Sequence, residues 1–173
     1  MKQPGVFLNE AKIRARVAEM GAQIRKDSGP DTPVHLIAVL KGAFIFLADL
    51  ARAIPGPVSL DFISVSSYAG KSSSGEVRLL KDLDRSIEGR AVIIVEDIVD
   101  TGLTLAYLQE ILRARDPKSV KTACLLSKPS RRKIEVPVEY IGFTIDDRFV
   151  VGYGLDYDEQ YRQLPYIGVM DGD

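Results

Sequence analysis

Cysteine and histidine are almost absent from this 173-residue chain, which contains one of each. Cys124 alone cannot close an internal disulfide, which excludes a secreted scaffold held together by disulfide bonds. His35 alone excludes histidine-rich zinc sites and leaves a serine–histidine–aspartate arrangement with one candidate base. An excess of one charge is also lacking, because 23 Lys and Arg residues stand against 24 Asp and Glu residues. We therefore expect no nucleic-acid partner, since surfaces that bind polyanions carry a basic excess.

Long apolar segments are missing as well. The longest apolar stretches are interrupted by Lys41 and then by Asp49, so they are too short to span a bilayer. Residues Met1 to Gly5 lack the continuous apolar core of a signal peptide. Hydrophobic residues nevertheless make up 46% of the chain, which suits one globular domain of this length. We expect a single cytoplasmic domain over residues 1–173, with no membrane partner.

Short apolar runs alternate with helical patterns along the chain. Asn9 is a typical helix cap, and apolar residues recur at helical spacing after it until Asp27–Pro30 ends the pattern. The run Ala91–Val95 is continuous and β-rich, which is typical of a central parallel strand covered on both faces. The other predicted elements are strands at Val34–Leu40, Val58–Phe62, Glu76–Lys81, Val120–Leu126, Glu139–Phe143, Phe149–Val151 and Ile167–Met170, and helices at Phe44–Ile54 and Leu105–Leu112. This alternation predicts an α/β fold with a mostly parallel central sheet flanked by helices.

A polar junction, Glu96–Thr104, separates the central run from the helix that follows it. In open α/β sheets, ligands bind outside the carboxyl ends of the strands, which is where this junction lies. The adjacent carboxylates of Glu96 and Asp97 can bind a hard cation or the vicinal hydroxyls of a sugar. Asp100 follows them at a position suited to proton transfer.

The second half of the junction has the features of a phosphate site. A loop enters a helix at Thr101, Gly102, Leu103 and Thr104. The free N–H groups and the dipole of a helix N-terminus favour the binding of a phosphate. Any two of these residues alone are more typical of turn and cap chemistry, whereas the whole pattern favours a sugar-phosphate site. The junction lacks the glycine–lysine pattern of a nucleoside-triphosphate loop and the three-glycine pattern of a dinucleotide site.

The segment Val92–Thr104 resembles the diphosphoribosyl-binding motif of the type I phosphoribosyltransferase family. The remaining sequence is similar to the branch of that family that acts on hypoxanthine and guanine. Several separate motifs occur in the family order, at Leu40–Ala43, Val65–Tyr68, Leu126–Pro129, Phe149–Tyr157 and Arg162. The resemblance implies a type I phosphoribosyltransferase fold with a small hood and a flexible hairpin loop.

The resemblance also implies a reaction, in which the phosphoribosyl group of phosphoribosyl diphosphate passes to a 6-oxopurine and diphosphate is released. It assigns Lys41, Gly42 and Arg162 to the diphosphate. On sequence alone, a surface ion pair with the nearby Asp158 or Glu159 is equally typical of Arg162. It assigns Mg²⁺ as the cofactor, held by Glu96 and Asp97 at the ribose and by Asp156 at the diphosphate. Alanine stands at position 43 where the family has a second glycine, and a positive φ would strain it.

The purine site follows from the same resemblance. Phe149 would stack on the base, the backbone near Val150 and Asp156 would meet its edge, and Lys128 would donate to the six-oxo oxygen. On sequence alone, Phe149 is more typical of a core aromatic. Lys128 begins a cluster of basic residues that is equally typical of a solvated loop or an RNA surface. We expect the Asp146–Asp147 pair to form only a turn.

Two further roles complete the predicted site. Asp100 would accept a proton from the imidazole ring of the purine as the other ring nitrogen bonds the sugar. The glycine- and serine-rich segment Ser66–Gly75 would act as a lid, with Ser67 and Tyr68 closing over the diphosphate. His35 is more typical of a core or strand-end residue than of a catalyst, and Cys124 of a small buried residue.

Three alternatives stay open. The acceptor can be xanthine or another base, because Lys128 and Phe149 do not rank the 6-oxopurines. A phosphoribosyltransferase-like regulator that binds RNA would keep the sugar-phosphate site, but the net charge of −1 is unfavourable for it. A phosphoacceptor domain would use only Glu96 and Asp97. By analogy with the family, we expect a homodimer or a homotetramer, with the apolar helix that begins at Phe44 as an interface.

Overall fold

A central sheet of six strands and a separate sheet of three strands make up the fold. The computed structural model describes residues 3–67 and 77–170. The elements in chain order are β1 (Gly5–Leu8), α1 (Glu10–Ser28), β2 (Val34–Leu40), α2 (Phe44–Ala53), β3 (Val58–Ser67), β4 (Val77–Lys81), β5 (Ala91–Val99), α3 (Leu103–Arg113), β6 (Ser119–Ser127), a 3₁₀ turn (Pro129–Arg131), β7 (Tyr140–Thr144), β8 (Val150–Val151) and β9 (Ile167–Val169).

The central sheet has the strand order β4-β3-β2-β5-β6-β7. Every neighbouring pair is parallel except β3 and β4 at the edge, which form an antiparallel hairpin. The predicted α/β class with a mostly parallel sheet is therefore confirmed. The strands β2 and β5 lie at the centre and are mainly apolar because both of their faces are covered.

Helices cover the two faces of the sheet. On one face α2 packs against β2 and β5, and α1 packs against α2 and β7; on the other face α3 packs against β6 and β4. The first helix begins as its sequence predicts, because the Asn9 side chain accepts a hydrogen bond from the Lys12 backbone N–H at 2.8 Å. It ends at Gly29, which has a φ of +89°. None of the helices in the described residues is long and apolar enough to cross a membrane.

The three-stranded sheet, β1-β9-β8, is antiparallel and joins the two ends of the chain. It corresponds to the hood that the family resemblance implies. Strand β1 is absent from the sequence analysis because its four residues form a strand only by pairing with β9, far along the chain. A second difference concerns β5, which continues to Val99, whereas the sequence indicates that a polar junction begins at Glu96.

Candidate active site

Two carboxyl groups, those of Glu96 and Asp97, lie within the last part of β5 rather than in a loop after it. Burial, together with the neighbouring Asp97 carboxyl, raises the pKa of Glu96 well above its usual value. Burial also raises the pKa of Asp97, although its Oδ1 accepts a hydrogen bond from the Ile98 backbone N–H at 2.8 Å. The two neighbouring carboxyls act on each other in opposite senses, because Asp97 raises the pKa of Glu96 while Glu96 lowers that of Asp97.

The turn between β5 and α3 encloses a small cavity of about 80 Å³. Its lining includes Glu96, Asp100, Thr101 and Thr104. Gly102 has a φ of +86°, and a β-carbon there would lie 2.8 Å from the Ile134 carbonyl oxygen, so this position requires glycine. The N-terminus of α3 begins at this cavity and favours an anion.

The turn between β2 and α2 packs against Asp97 from the other side. A β-carbon at Gly42 would lie 1.9 Å from Asp97 Oδ2, and one at Gly154 would lie 2.2 Å from the Gly42 carbonyl oxygen. The backbone of Gly42 is therefore enclosed between the acid pair and the segment that follows β8. Ala43 has a φ of −85°, in the right-handed region, so the strain that a positive φ would impose on this alanine does not arise.

Lys41 and Arg162 meet at the carboxylate of Glu159, one of the two acidic residues with which the sequence allows an ion pair for Arg162. Lys41 Nζ lies 2.7 Å from Glu159 Oε2, and Arg162 Nη2 lies 3.1 Å from Glu159 Oε1. These two cations hold the pKa of Glu159 below its usual value. Arg162 also contacts Asp156 at 3.2 Å and donates to the Gly154 carbonyl oxygen at 2.8 Å. The structure thus brings the predicted residues Lys41, Asp156 and Arg162 into one cluster.

Asp100 is held by two arginines of the loop after β6. Arg131 Nε donates a hydrogen bond to Asp100 Oδ1 at 3.2 Å. Arg132 Nη1 donates to the backbone carbonyl oxygens of Val99 and Asp100 at 2.8 and 2.7 Å, and its Nη2 donates to Ser127 Oγ at 2.9 Å. No local sequence pattern indicates that these arginines hold Asp100, because the contacts join residues about thirty positions apart.

Lys128 is buried, with 7% of its surface exposed, so it does not belong to a solvated basic loop. Its Nζ lies 3.5 Å from Asp147 Oδ1, and Arg131 Nη1 lies 3.6 Å from Asp147 Oδ2. Asp147 therefore does more than form the turn expected from the sequence, because its carboxylate lies between two cations.

Phe149 is 53% exposed, so the expectation of a core aromatic, which rests on its sequence pattern alone, is wrong. Its ring makes an edge-to-face contact with that of Tyr157, with the ring centroids 5.5 Å apart. The exposed ring surface is available for stacking on a planar ligand. Val150, the next residue, is buried in β8 and presents only its backbone to a ligand at this position.

Other predicted residues lie apart from this site or outside the described residues. The backbone of Ser67 ends β3, while Tyr68 and most of the predicted lid fall outside the described residues. His35 is buried in β2, where its Nδ1 lies 2.7 Å from Ser59 Oγ. Cys124 is buried in β6, in agreement with its sequence pattern.

Comparison with known proteins defines the class to which this fold and site belong. Residues 7–158 match the model of the phosphoribosyl transferase domain. The chain therefore belongs to the phosphoribosyltransferase family. It is 52% identical to the hypoxanthine phosphoribosyltransferase of Salmonella typhimurium, over 94% of this chain and 93% of that protein.

Solved structures agree with this assignment. A crystal structure of a hypoxanthine-guanine phosphoribosyltransferase from Bacillus anthracis superposes with a TM-score of 0.93 at 45% identity, covering 98% of this chain and 99% of that chain. The hypoxanthine phosphoribosyltransferase from Trypanosoma cruzi, solved in complex with the product IMP, superposes with a TM-score of 0.87 at 46% identity. That comparison covers 95% of this chain and 92% of the other.

Proposed function

We propose that this chain is a purine salvage enzyme that transfers the 5-phosphoribosyl group from phosphoribosyl diphosphate to hypoxanthine, guanine or both, giving IMP or GMP and diphosphate. The observation that carries the proposal is the meeting of three groups at the carboxyl ends of the central strands. These are a buried acid pair on β5, the N-terminus of α3, and a cluster of Lys41, Arg162 and Asp156. They suit the ribose hydroxyls, the 5-phosphate and the diphosphate, respectively.

The reaction breaks the bond between the anomeric carbon and the diphosphate oxygen, and the electron pair leaves with the diphosphate. A purine ring nitrogen forms the new bond to that carbon, and the proton of the imidazole ring passes to Asp100. Two cations, Lys41 and Arg162, stabilise the charge that develops on the leaving group. In support of this role, Arg162 Nη2 lies in one cluster with Lys41, at 3.1 Å from the Glu159 carboxylate that Lys41 also contacts.

The residues at the site also fit Mg²⁺, which we propose as the cofactor. Glu96 and Asp97 would offer the oxygen ligands that this ion prefers at the ribose, and Asp156, which forms an ion pair with Arg162, would offer one at the diphosphate. When bound, Mg²⁺ neutralises charge on the diphosphate oxygens.

The purine is held in this proposal by Phe149, Lys128 and the backbone near Val150 and Asp156. The exposed ring of Phe149 supports stacking, and the burial of Lys128 supports a directed contact with the six-oxo oxygen. Because an ammonium group has only donors, it would meet the exocyclic amine of adenine donor to donor. We therefore expect oxopurines to be favoured over aminopurines.

The assembly and location remain predictions of the same proposal. Phe44, on α2, is 42% exposed, and this apolar surface supports a homodimer or a homotetramer. Light scattering of the purified protein measures its mass in solution and distinguishes these states from a monomer. The cytoplasmic location is expected from the unpaired Cys124, which is a free thiol in the structure.

A spectrophotometric assay tests the proposed function. Purified protein is incubated with phosphoribosyl diphosphate, Mg²⁺ and one of hypoxanthine, guanine, xanthine or adenine. We expect nucleotide formation with hypoxanthine or guanine and little with adenine. Absence of nucleotide with all four bases would contradict the proposal. A titration with RNA at increasing salt tests the alternative regulator, for which salt-sensitive binding is expected.

A further inference from the structure

We propose that Asp147 is a positioning residue that sets Lys128 and, through Arg131, Asp100 against the same edge of the purine. This inference rests on the proposed function and extends it to a residue with no expected role. In a 6-oxopurine, the six-oxo oxygen and the imidazole N7 are adjacent on one edge of the base. A donor for the oxygen and a base for the ring proton must therefore be held at a matched spacing.

The contacts around Asp147 form a continuous chain of alternating charge. Lys128 Nζ lies 3.5 Å from one carboxylate oxygen of Asp147, and Arg131 Nη1 lies 3.6 Å from the other. The same arginine donates from Nε to Asp100 Oδ1 at 3.2 Å. One carboxylate thus bridges the lysine that would contact the six-oxo oxygen and the arginine that holds the catalytic carboxylate.

The burial of these groups is unequal, and this indicates where the effect of Asp147 is largest. The Lys128 side chain is only 9% exposed, whereas the side chains of Asp147 and Arg131 are about half exposed. Within the described residues, Asp147 is the only carboxylate within 4 Å of the Lys128 ammonium group. A buried cation depends strongly on its counter-charge, while an exposed pair contributes little. The loss of Asp147 therefore affects purine binding through Lys128 first and proton transfer through Arg131 second.

The neighbouring residue provides a matched control. Asp146 carries the same charge, one position away, but its side chain is 87% exposed and its ion pair is with Arg148 at 3.8 Å. It contacts neither Lys128 nor Arg131 within the described ion pairs. Substitution of Asp146 removes the same formal charge from the same turn without touching the chain of contacts.

The test compares Asp147→Asn, Asp147→Glu and Asp146→Asn in steady-state kinetics with hypoxanthine and phosphoribosyl diphosphate. For Asp147→Asn we expect the KM for hypoxanthine to rise on the order of 10-fold, with a smaller fall in kcat and an unchanged KM for phosphoribosyl diphosphate. Asp147→Glu restores part of the loss, and Asp146→Asn behaves as the wild type. Equal thermal unfolding midpoints exclude a general loss of structure as the cause.

A double-mutant cycle with Lys128→Met isolates the contact. If Asp147 acts through Lys128, then Asp147→Asn has little further effect on the KM for hypoxanthine once Lys128 is removed. Kinetics of Asp147→Asn indistinguishable from those of Asp146→Asn would overturn the inference. An inactive wild-type protein would instead contradict the proposed function, so the two failures are distinct.

Discussion

Gly42 and Asp97 are in contact across two neighbouring strands, and a β-carbon at position 42 would lie only 1.9 Å from Asp97 Oδ2. The turn after β2 and the acid pair of β5 therefore have a fixed separation, because β2 and β5 are hydrogen-bonded neighbours in the sheet. Gly154 encloses the same backbone from the other side. This contact joins the proposed ribose and diphosphate sites into one surface.

A methyl group at position 42 is therefore expected to separate these two sites. For Gly42→Ala we predict that kcat/KM for phosphoribosyl diphosphate falls at least about 10-fold, which corresponds to roughly 1.4 kcal/mol. The matched control is Gly5→Ala, because a β-carbon at Gly5 has nothing within 4 Å. Wild-type kinetics in Gly42→Ala would show that this contact does not matter for the reaction.

Asp100 is expected to take part in the chemical step but not in donor binding. We predict that Asp100→Asn lowers kcat by about 10²–10⁴-fold, because general acid–base catalysis contributes roughly this factor. The Kd of phosphoribosyl diphosphate, measured by calorimetry, should be unchanged. The exposed Asp31 is a control for loss of a carboxylate, since it lies outside the site. Turnover of Asp100→Asn equal to that of Asp31→Asn would exclude the proton-transfer role.

Arg132 is expected to hold the turn that contains Asp100, through the carbonyl oxygens of Val99 and Asp100. In Arg132→Met these partly buried acceptors lose the guanidinium donor, and the Asp100 carbonyl oxygen is affected most because the Val99 carbonyl oxygen still accepts from the Lys128 backbone N–H, so the free energy of unfolding should fall by about 1–3 kcal/mol and kcat should fall with it. Arg113→Met is the control, because Arg113 is exposed at the end of α3. Urea denaturation and initial rates measure the two effects. A wild-type stability for Arg132→Met would contradict this role.

The environment of His35 leads us to predict that the stability of the fold depends on pH. Burial and then the Arg90 cation lower the pKa of His35 in the folded protein. In the unfolded chain the pKa returns to its usual value of about 6.5, so below that pH the unfolded state binds a proton that the folded state does not. The contribution of His35 to the free energy of unfolding is thus present at higher pH, and it is lost as the pH falls through about 6.5.

The measurement is the difference in the free energy of unfolding between wild type and His35→Gln, which isolates the only histidine of the chain. From about pH 7.5 to about pH 5.5, the wild type should lose stability relative to the variant. The difference between the two proteins cancels the opposing contributions of the carboxyl groups. A difference that is constant over this range would show that the pKa of His35 is not lowered by folding.

Cys124 is expected to be inert in the native protein. Burial raises the pKa of its thiol to about 12, so the reactive thiolate is scarce near neutral pH, and the side chain is also inaccessible. Intact-mass spectrometry after treatment with iodoacetamide should show no adduct under native conditions and one adduct in urea. Rapid alkylation of the native protein would indicate that β6 opens readily.

The strands were predictable where burial is local in the sequence. The run Val34–Leu40 matches β2 residue for residue, because a strand covered on both faces is mainly apolar, and His35 is the one polar side chain in it. The end of β5 was not predictable in this way. Glu96 is polar, yet it lies in the strand because it is paired with Cys124 of β6, and it lines the cavity at the turn between β5 and α3. Polar residues within a strand are expected where function requires them.

Within the candidate site, sequence patterns identified the residues of the two turns but not the residues that support them. Glu159 and Asp147 have no motif of their own, and each is recognised only by the cations that it meets. Phe149 shows the same limit, because the same apolar pattern fits a core residue and a surface ring. Its exposure depends on how β8 packs in the second sheet, which no local pattern describes.

The sequence by itself determined the order of the strands and helices, and it determined the side chains that stand at the strand ends. It did so because the spacing of apolar residues and the chemistry of turns act over a few neighbouring positions. Only the tertiary structure decided which of those side chains meet. Three contacts show this: Gly42 with Asp97, Arg132 with the Asp100 turn, and Asp147 with Lys128. They depend on the strand order and register of the sheet, which bring together residues that lie far apart in the chain.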